Sequence, residues 1–303
     1  MTKNKPSLHI ESLLAGAQLP ALPQSAIRLL QLAQDPENGP AEFAVPIESD
    51  PGLTGQVLKF VNSSYFGFSR EISSVKLAIT LVGIRTIKNF ALWSAVFSLM
   101  PNPKCGPFNL KSLWQDSLRR GLFSRSLGQL LGQVNSEDLF AAALLQDMAV
   151  PLLARELPEE YDKLFQNRRG GQTRLSDLEQ EHFGWTHAEA ASILARRWSL
   201  PDEFAELIEC HTMFEELVSE GATPSQVAIG LSALLPSAED ASWHERAEFS
   251  EAFHQLTDAG EAALRQVLTE VDTAFAEFGP LLKLGTPSHS LASFLETEDP
   301  ITA

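Results

Sequence analysis

An all-α fold is what this sequence predicts, and three observations carry it. Apolar residues recur at helical spacing along nearly the whole chain. Capping residues and prolines open these segments, and glycines close them. The apolar–polar alternation of half-buried strands is almost absent.

The segment from Leu139 to Leu153 is apolar on almost every side, so as a helix it belongs inside the protein. In its middle stand Gln146 and Asp147. A buried carboxylate is costly unless it is paired, hydrogen-bonded or metal-bound. What Asp147 touches is the chemical question the chain poses.

The totals bound the answers. With 303 residues the chain is long enough for one large domain or two smaller ones. There are 23 Lys and Arg against 39 Asp and Glu, a net charge of −16, which works against nonspecific binding to nucleic acid or anionic membrane. Arg119, Arg120 and Arg125 share one segment and read as a solvated helix face. Two cysteines, Cys105 and Cys210, are too few for a disulfide framework or a zinc ribbon and fit a reducing compartment. The first residues contain no apolar stretch of signal-peptide length, and runs such as Phe90–Met100 fall short of the roughly 20 residues of a membrane span. A cytoplasmic protein is expected.

In chain order, Ile27, Leu30 and Ala33 mark a first helix after Pro23, and a short one is expected over Ala41–Glu48. Asp50-Pro51 supplies an N-cap and a first-turn proline for a helix carrying Leu53, Val57, Leu58 and Val61. Asn62-Ser63 ends it, and Tyr65-Phe66-Gly67 is a turn. A ligand role for Asp50, Pro51, Asn62 or Ser63 ranks below these structural ones. Ser74–Leu81 and Ile84–Met100 are helical, and Pro101–Pro107 reads as a linker between lobes. Leu110–Leu131 and Pro158–Arg169 follow on either side of the central segment, which starts at Asn135 or Ser136. Ser176–Glu179 and Thr186–Glu189 have the capping-box spacing. Further helices are expected over Ser225–Leu235, Trp243–Thr257 and Glu261–Phe278, roughly a dozen in all. The part beyond Gly279 reads as a loosely held acidic tail.

The run Glu48-Ser49-Asp50-Pro51-Gly52-Leu53-Thr54, the segments Val57–Ser63 and Ala78–Gly83, then Trp114, Ala142-Leu144-Leu145 before Asp147, His182-Phe183-Gly184, His187 and Leu194–Pro201 together resemble the HDOD domain, a bacterial signalling relative of the HD phosphohydrolases. The resemblance covers about residues 19–217. It implies a two-lobed multi-helical fold: an N-terminal lobe over 1–105, an HD-like lobe over 106–236, and C-terminal helices with an acidic tail over 237–303. It also implies signal transduction without catalysis, of the kind that serves as response regulator output. The partners would be proteins of a bacterial signalling pathway or a small signalling ligand, with no nucleic acid and no membrane.

An active HD enzyme holds divalent metal through His and Asp from several helices. Matched position by position, the first histidine is Asp116, the His-Asp pair is Gln146-Asp147, and the closing aspartate is replaced within Ala228–Leu231. His187 and His211 match positions that some HD proteins use for a second metal, and helical spacing turns both inward. Asp116, Asp147, His187 and His211 are thus the remnant positions of a degenerate metal site, with no metal, cofactor or catalytic residue expected. The alternative is a metal-dependent phosphohydrolase using these four residues in a relocated site. No glycine-rich phosphate loop is present, and neither cysteine has a base partner in sequence.

Overall fold

The computed structural model describes residues 9–133 and 136–296. Among these, every regular element is helical. In order they are α1 (Ile10–Gly16), α2 (Gln24–Leu32), α3 (Pro40–Glu48), α4 (Pro51–Val61), α5 (Val75–Val82), α6 (Ile84–Leu99), α7 (Leu110–Leu130), α8 (Ser136–Leu145), α9 (Val150–Glu156) and α10 (Pro158–Asn167). There follow α11 (Leu175–Phe183), α12 (His187–Arg197), α13 (Asp202–Cys210), α14 (Phe214–Glu220), α15 (Pro224–Ala233), α16 (Arg246–Thr257), α17 (Glu261–Leu281) and α18 (Leu291–Phe294). A 3-10 turn at Ser64–Phe66 ends on Gly67. The helices are more numerous and shorter than the expected dozen. Asn135, one of the two expected starts of the central helix, lies outside the described residues, as do the first eight residues.

The N-terminal half forms where its capping chemistry says it should. Asp50 Oδ1 accepts the Leu53 N–H at 3.0 Å, with Pro51 in the first turn of α4. Asn62 does more than end that helix. Its amide donates to Leu58 O and Ile72 O, each at 2.8 Å, and its Oδ1 accepts the Ile72 N–H at 2.7 Å, which fixes the loop leading to α5.

The centre of the molecule is the crossing of α7 and α8. A Cβ built on Gly121 would lie 2.9 Å from Leu144, and one on Gly128 2.7 Å from Leu139, so a larger residue at either position would force those side chains or the helices to shift. One continuous apolar cluster runs from Leu14 to Phe294 around it. α17 packs on α7 and reaches α4, where the Phe278 and Phe60 rings are 5.1 Å apart.

Four expectations are corrected. The segment from Leu139 to Leu153 is not one helix: α8 stops at Leu145, residues 146–149 turn, and α9 starts at Val150 with Pro151 in its first turn. Proline has no N–H for a ladder bond back to Asp147, so the break falls there. The arginines of α7 are not a solvated face; Arg119 and Arg125 are buried and Arg120 is nearly so, because partners from distant segments meet them. Glu179 does not cap a helix from Ser176; α11 begins a residue earlier, at Leu175, and Glu179 is buried against other groups. The segment after Gly279 is docked as far as Glu296, because Leu284, Leu291 and Phe294 are buried and Asp272 accepts the Leu291 and Ala292 N–H groups at 2.9 Å each. The acidic end beyond it lies outside the described residues.

Candidate functional site

The turn at 146–149 brings Asp147 to the inner end of a cavity of about 310 Å³. α7 contributes Asp116 and Arg120, one helical turn apart on the same face. His187 is the first residue of α12, and His211 follows the last residue of α13. All four expected positions therefore reach one pocket, with Arg120 among them.

Asp147, His187 and His211 form its tightest group. His187 Nε2 lies 3.2 Å and His211 Nε2 3.6 Å from Asp147 Oδ1, and the two Nε2 atoms are 3.2 Å apart. The opposite ring nitrogens are anchored. His211 Nδ1 donates to Ile208 O at 2.6 Å, and His187 Nδ1 to Glu179 Oε2 at 2.6 Å. Glu179, fully buried, also accepts the His187 backbone N–H at 2.8 Å and the Tyr161 hydroxyl at 2.6 Å. On the other side of Asp147, Arg120 Nη1 donates to Oδ2.

The charges follow from these neighbours. Burial pushes Asp147 up, but Arg120 and the hydrogen bond from His187 outweigh it and hold the carboxyl well below its usual value. Burial pushes His187 down, yet Glu179 and Asp147 raise it to about 10, so it is an imidazolium at neutral pH. His211 is lowered by burial and stays neutral, leaving Nε2 as an acceptor toward His187. The buried cluster thus balances itself: Arg120 and His187 against Asp147 and Glu179.

Asp116 stands apart from the triad. Its Oδ2 accepts the Ser237 hydroxyl at 2.7 Å and its Oδ1 the Ala238 N–H at 2.6 Å. Burial raises this carboxyl to about 6, against the opposing pull of Arg120. Gln146 faces away from the cavity, toward α15, where its Oε1 accepts the Ser232 hydroxyl at 3.2 Å. Ala228–Leu231 of α15 are buried and apolar.

Sequence reasoning missed Arg120, Glu179 and the segment between α15 and α16. That segment lines the pocket and is held there by three ties. Ser237-Ala238 binds Asp116, Asp240 pairs with Arg168 at 3.3 Å, and Glu245 pairs with Arg174. Asp240 also lies against Gly171, at φ +98°, where a Cβ would be 2.7 Å from its carboxylate.

Bonds of about 2.0–2.1 Å to a tetrahedral ion place neighbouring ligand atoms roughly 3.4 Å apart. Asp147 Oδ1, His187 Nε2 and His211 Nε2 match one face of such an ion, with their outer nitrogens held as metal-ligating histidines require. These three would hold it, and it would supply Lewis acidity to a bound oxygen. Asp116 and Gln146 do not join them.

Among the described residues no helix is long and apolar enough to cross a membrane. The HDOD domain family model matches residues 19–214. The chain is 26% identical over 196 residues to an uncharacterized protein of Treponema pallidum (strain Nichols); the match covers 64% of this chain and 37% of that one, so it spans less than two-fifths of the relative's length. The fold is similar to that of an HDOD domain protein of unknown function from Geobacter sulfurreducens, with a TM-score of 0.71 at 20% identity over 91% of this chain and 97% of that one. It is also similar to a candidate phosphohydrolase from Shewanella amazonensis SB2B, with a TM-score of 0.63 at 17% identity over 94% and 98% of the two chains. At these identities the two structures speak for the fold alone. The all-helical architecture, the ordered motifs and the family match over most of its length agree that this chain belongs to the HDOD domain family.

Proposed function

We propose that the chain is a non-catalytic regulatory protein of a bacterial signalling pathway. Its pocket takes a small ligand or a group from a partner protein, and the response is a shift in packing between the 1–105 and 106–236 lobes and the C-terminal segment that lines the pocket. The observation that carries this reading is the Arg120–Asp147 pair. The one carboxylate retained from an HD-type metal set already has an internal cation, and the other positions are turned to structural work: Asp116 to Ser237-Ala238 and Gln146 to Ser232. A cytoplasmic setting agrees with two buried, unbridged cysteines.

The opposing reading, a phosphohydrolase using Asp116, Asp147, His187 and His211, draws on the donor face of the last three. It requires Asp116 to leave two hydrogen bonds in order to join them. Hydrolysis of phosphomonoesters and phosphodiesters by protein supplied with Mn, Fe or Zn separates the two. The regulatory reading expects rates equal to those of the Asp147→Ala variant. Turnover that the variant lacks would overturn it.

A further inference from the structure

We propose that Arg120 is the resident counter-ion of Asp147, and that a transition-metal dication bound by Asp147, His187 and His211 displaces it onto Asp116, releasing the segment from Ser237 that lines the pocket. This rests on the regulatory reading above and adds to it the chemical class of the signal.

Four observations carry the proposal. The three donor atoms already span one face of a tetrahedral ion, and two imidazoles with one carboxylate suit zinc better than a hard cation. Arg120 holds Asp147 through a single Nη, while its Nε has no partner among the described residues, so one contact has to be given up. An ion bound to Asp147 Oδ1 would stand within a few ångströms of the guanidinium, and like charges at that distance in a buried site repel strongly. A second carboxylate waits for the displaced cation: Asp116 lies one turn earlier on the same face of α7 and lines the same pocket.

The exchange has a mechanical output. Asp116 holds the start of this segment through the Ser237 hydroxyl and the Ala238 N–H. A guanidinium arriving at that carboxylate draws its oxygens toward Arg120 and lengthens the bonds they make to Ser237 and Ala238. Nothing is oxidised or hydrolysed; one ion-pair partner is traded for another and a loop is loosened.

The test uses zinc itself on the full, chelator-treated chain. Affinity is read by competition with a chromophoric chelator, and hydrogen exchange is read over residues 236–242. Arg120→Gln should bind zinc at least about tenfold more tightly than wild type, since an unlike or like charge at this range shifts proton binding by one to three decades. Asp147→Asn should lose the site, which corrects for zinc bound elsewhere. In wild type, zinc should speed exchange at 236–242. In Arg120→Gln it should not, because no cation remains to move to Asp116. Equal zinc affinity in wild type and Arg120→Gln, or wild-type exchange unchanged at saturating zinc, would overturn the proposal. The wild-type exchange measurement stands even where the variant fails to fold. Hydrolysis by zinc-loaded wild type is scored separately, since it bears on the regulatory reading and not on the exchange.

Discussion

Arg120 and Asp147 are each other's counter-ion in the interior, 27 residues apart in sequence, with side chains 15% and 6% exposed. The pair exists because glycines at 121 and 128 let α7 and α8 touch, and because the chain turns at Asp147 instead of continuing as helix.

Breaking the pair from one side should be expensive. Arg120→Met leaves Asp147 with only the imidazoles, and the expected loss is on the order of 3 kcal/mol. Adding Asp147→Asn should recover part of it, with a coupling energy of about 1 kcal/mol or more. Urea unfolding of the two single variants and the double variant measures this.

The cluster gives stability a defined pH dependence in chelator-treated protein. His187 is raised from 6.5 to about 10 in the fold, so its contribution is complete below pH 6.5 and is lost as pH rises toward 10. Asp147 is held low, so its contribution is present above pH 3.8 and is lost as pH falls below that. Asp116, raised from 3.8 to about 6, costs stability as pH climbs across that interval. The wild-type urea midpoint should therefore decline between pH 6.5 and pH 10, and His187→Gln should flatten that decline. A wild-type midpoint that rises over this range would contradict the charge assignment.

Tyr161 should matter through Glu179 and His187. Its hydroxyl donates to Glu179 Oε1 at 2.6 Å in a fully buried setting. Tyr161→Phe removes a charge-assisted bond and should cost about 1.5–3 kcal/mol, seen as a lower unfolding midpoint.

Both cysteines should be inert in the folded protein. Burial pushes Cys210 up to about 12 and raises Cys105, and both side chains are buried. A disulfide-exchange reagent at pH 8 should label neither on the timescale of a free thiol and should label both in denaturant.

Gly171→Ala should strain the backbone at φ +98° and push the new Cβ into Asp240. The expected result is a loss of about 1–3 kcal/mol with faster hydrogen exchange over 236–242. Gly83→Ala, at φ +102° but with open space around it, separates backbone strain from the Asp240 contact.

What was legible in the sequence was whatever local chemistry specifies. Asp50-Pro51 reads as a helix start because the cap and the proline act within one turn. His187 and His211 read as inward because helical spacing sets them among apolar residues. Asp147 stood out because a carboxylate inside an apolar run demands a partner. That partner was not legible: an arginine on an amphipathic stretch looks solvated until the α7–α8 approach is known. Glu179 was hidden by a capping-box spacing that the fold does not use. The stretch from Ser237 to Ser242 carries no periodic signal, the helix expected from Trp243 begins only at Arg246, and both lie outside the matched family region; the segment's role arises only from ties to Asp116, Arg168 and Arg174.

The most direct test of the central claim, that Asp147 is neutralised by Arg120 instead of serving a catalytic metal set, is metal content by mass spectrometry. It is measured on full-length protein prepared without chelator or affinity nickel, beside a phosphodiester hydrolysis assay on the same sample. The expected result is well under one metal ion per chain and no turnover above Asp147→Ala. One or two Fe, Mn or Zn per chain, with hydrolysis that Asp147→Ala abolishes, would contradict it.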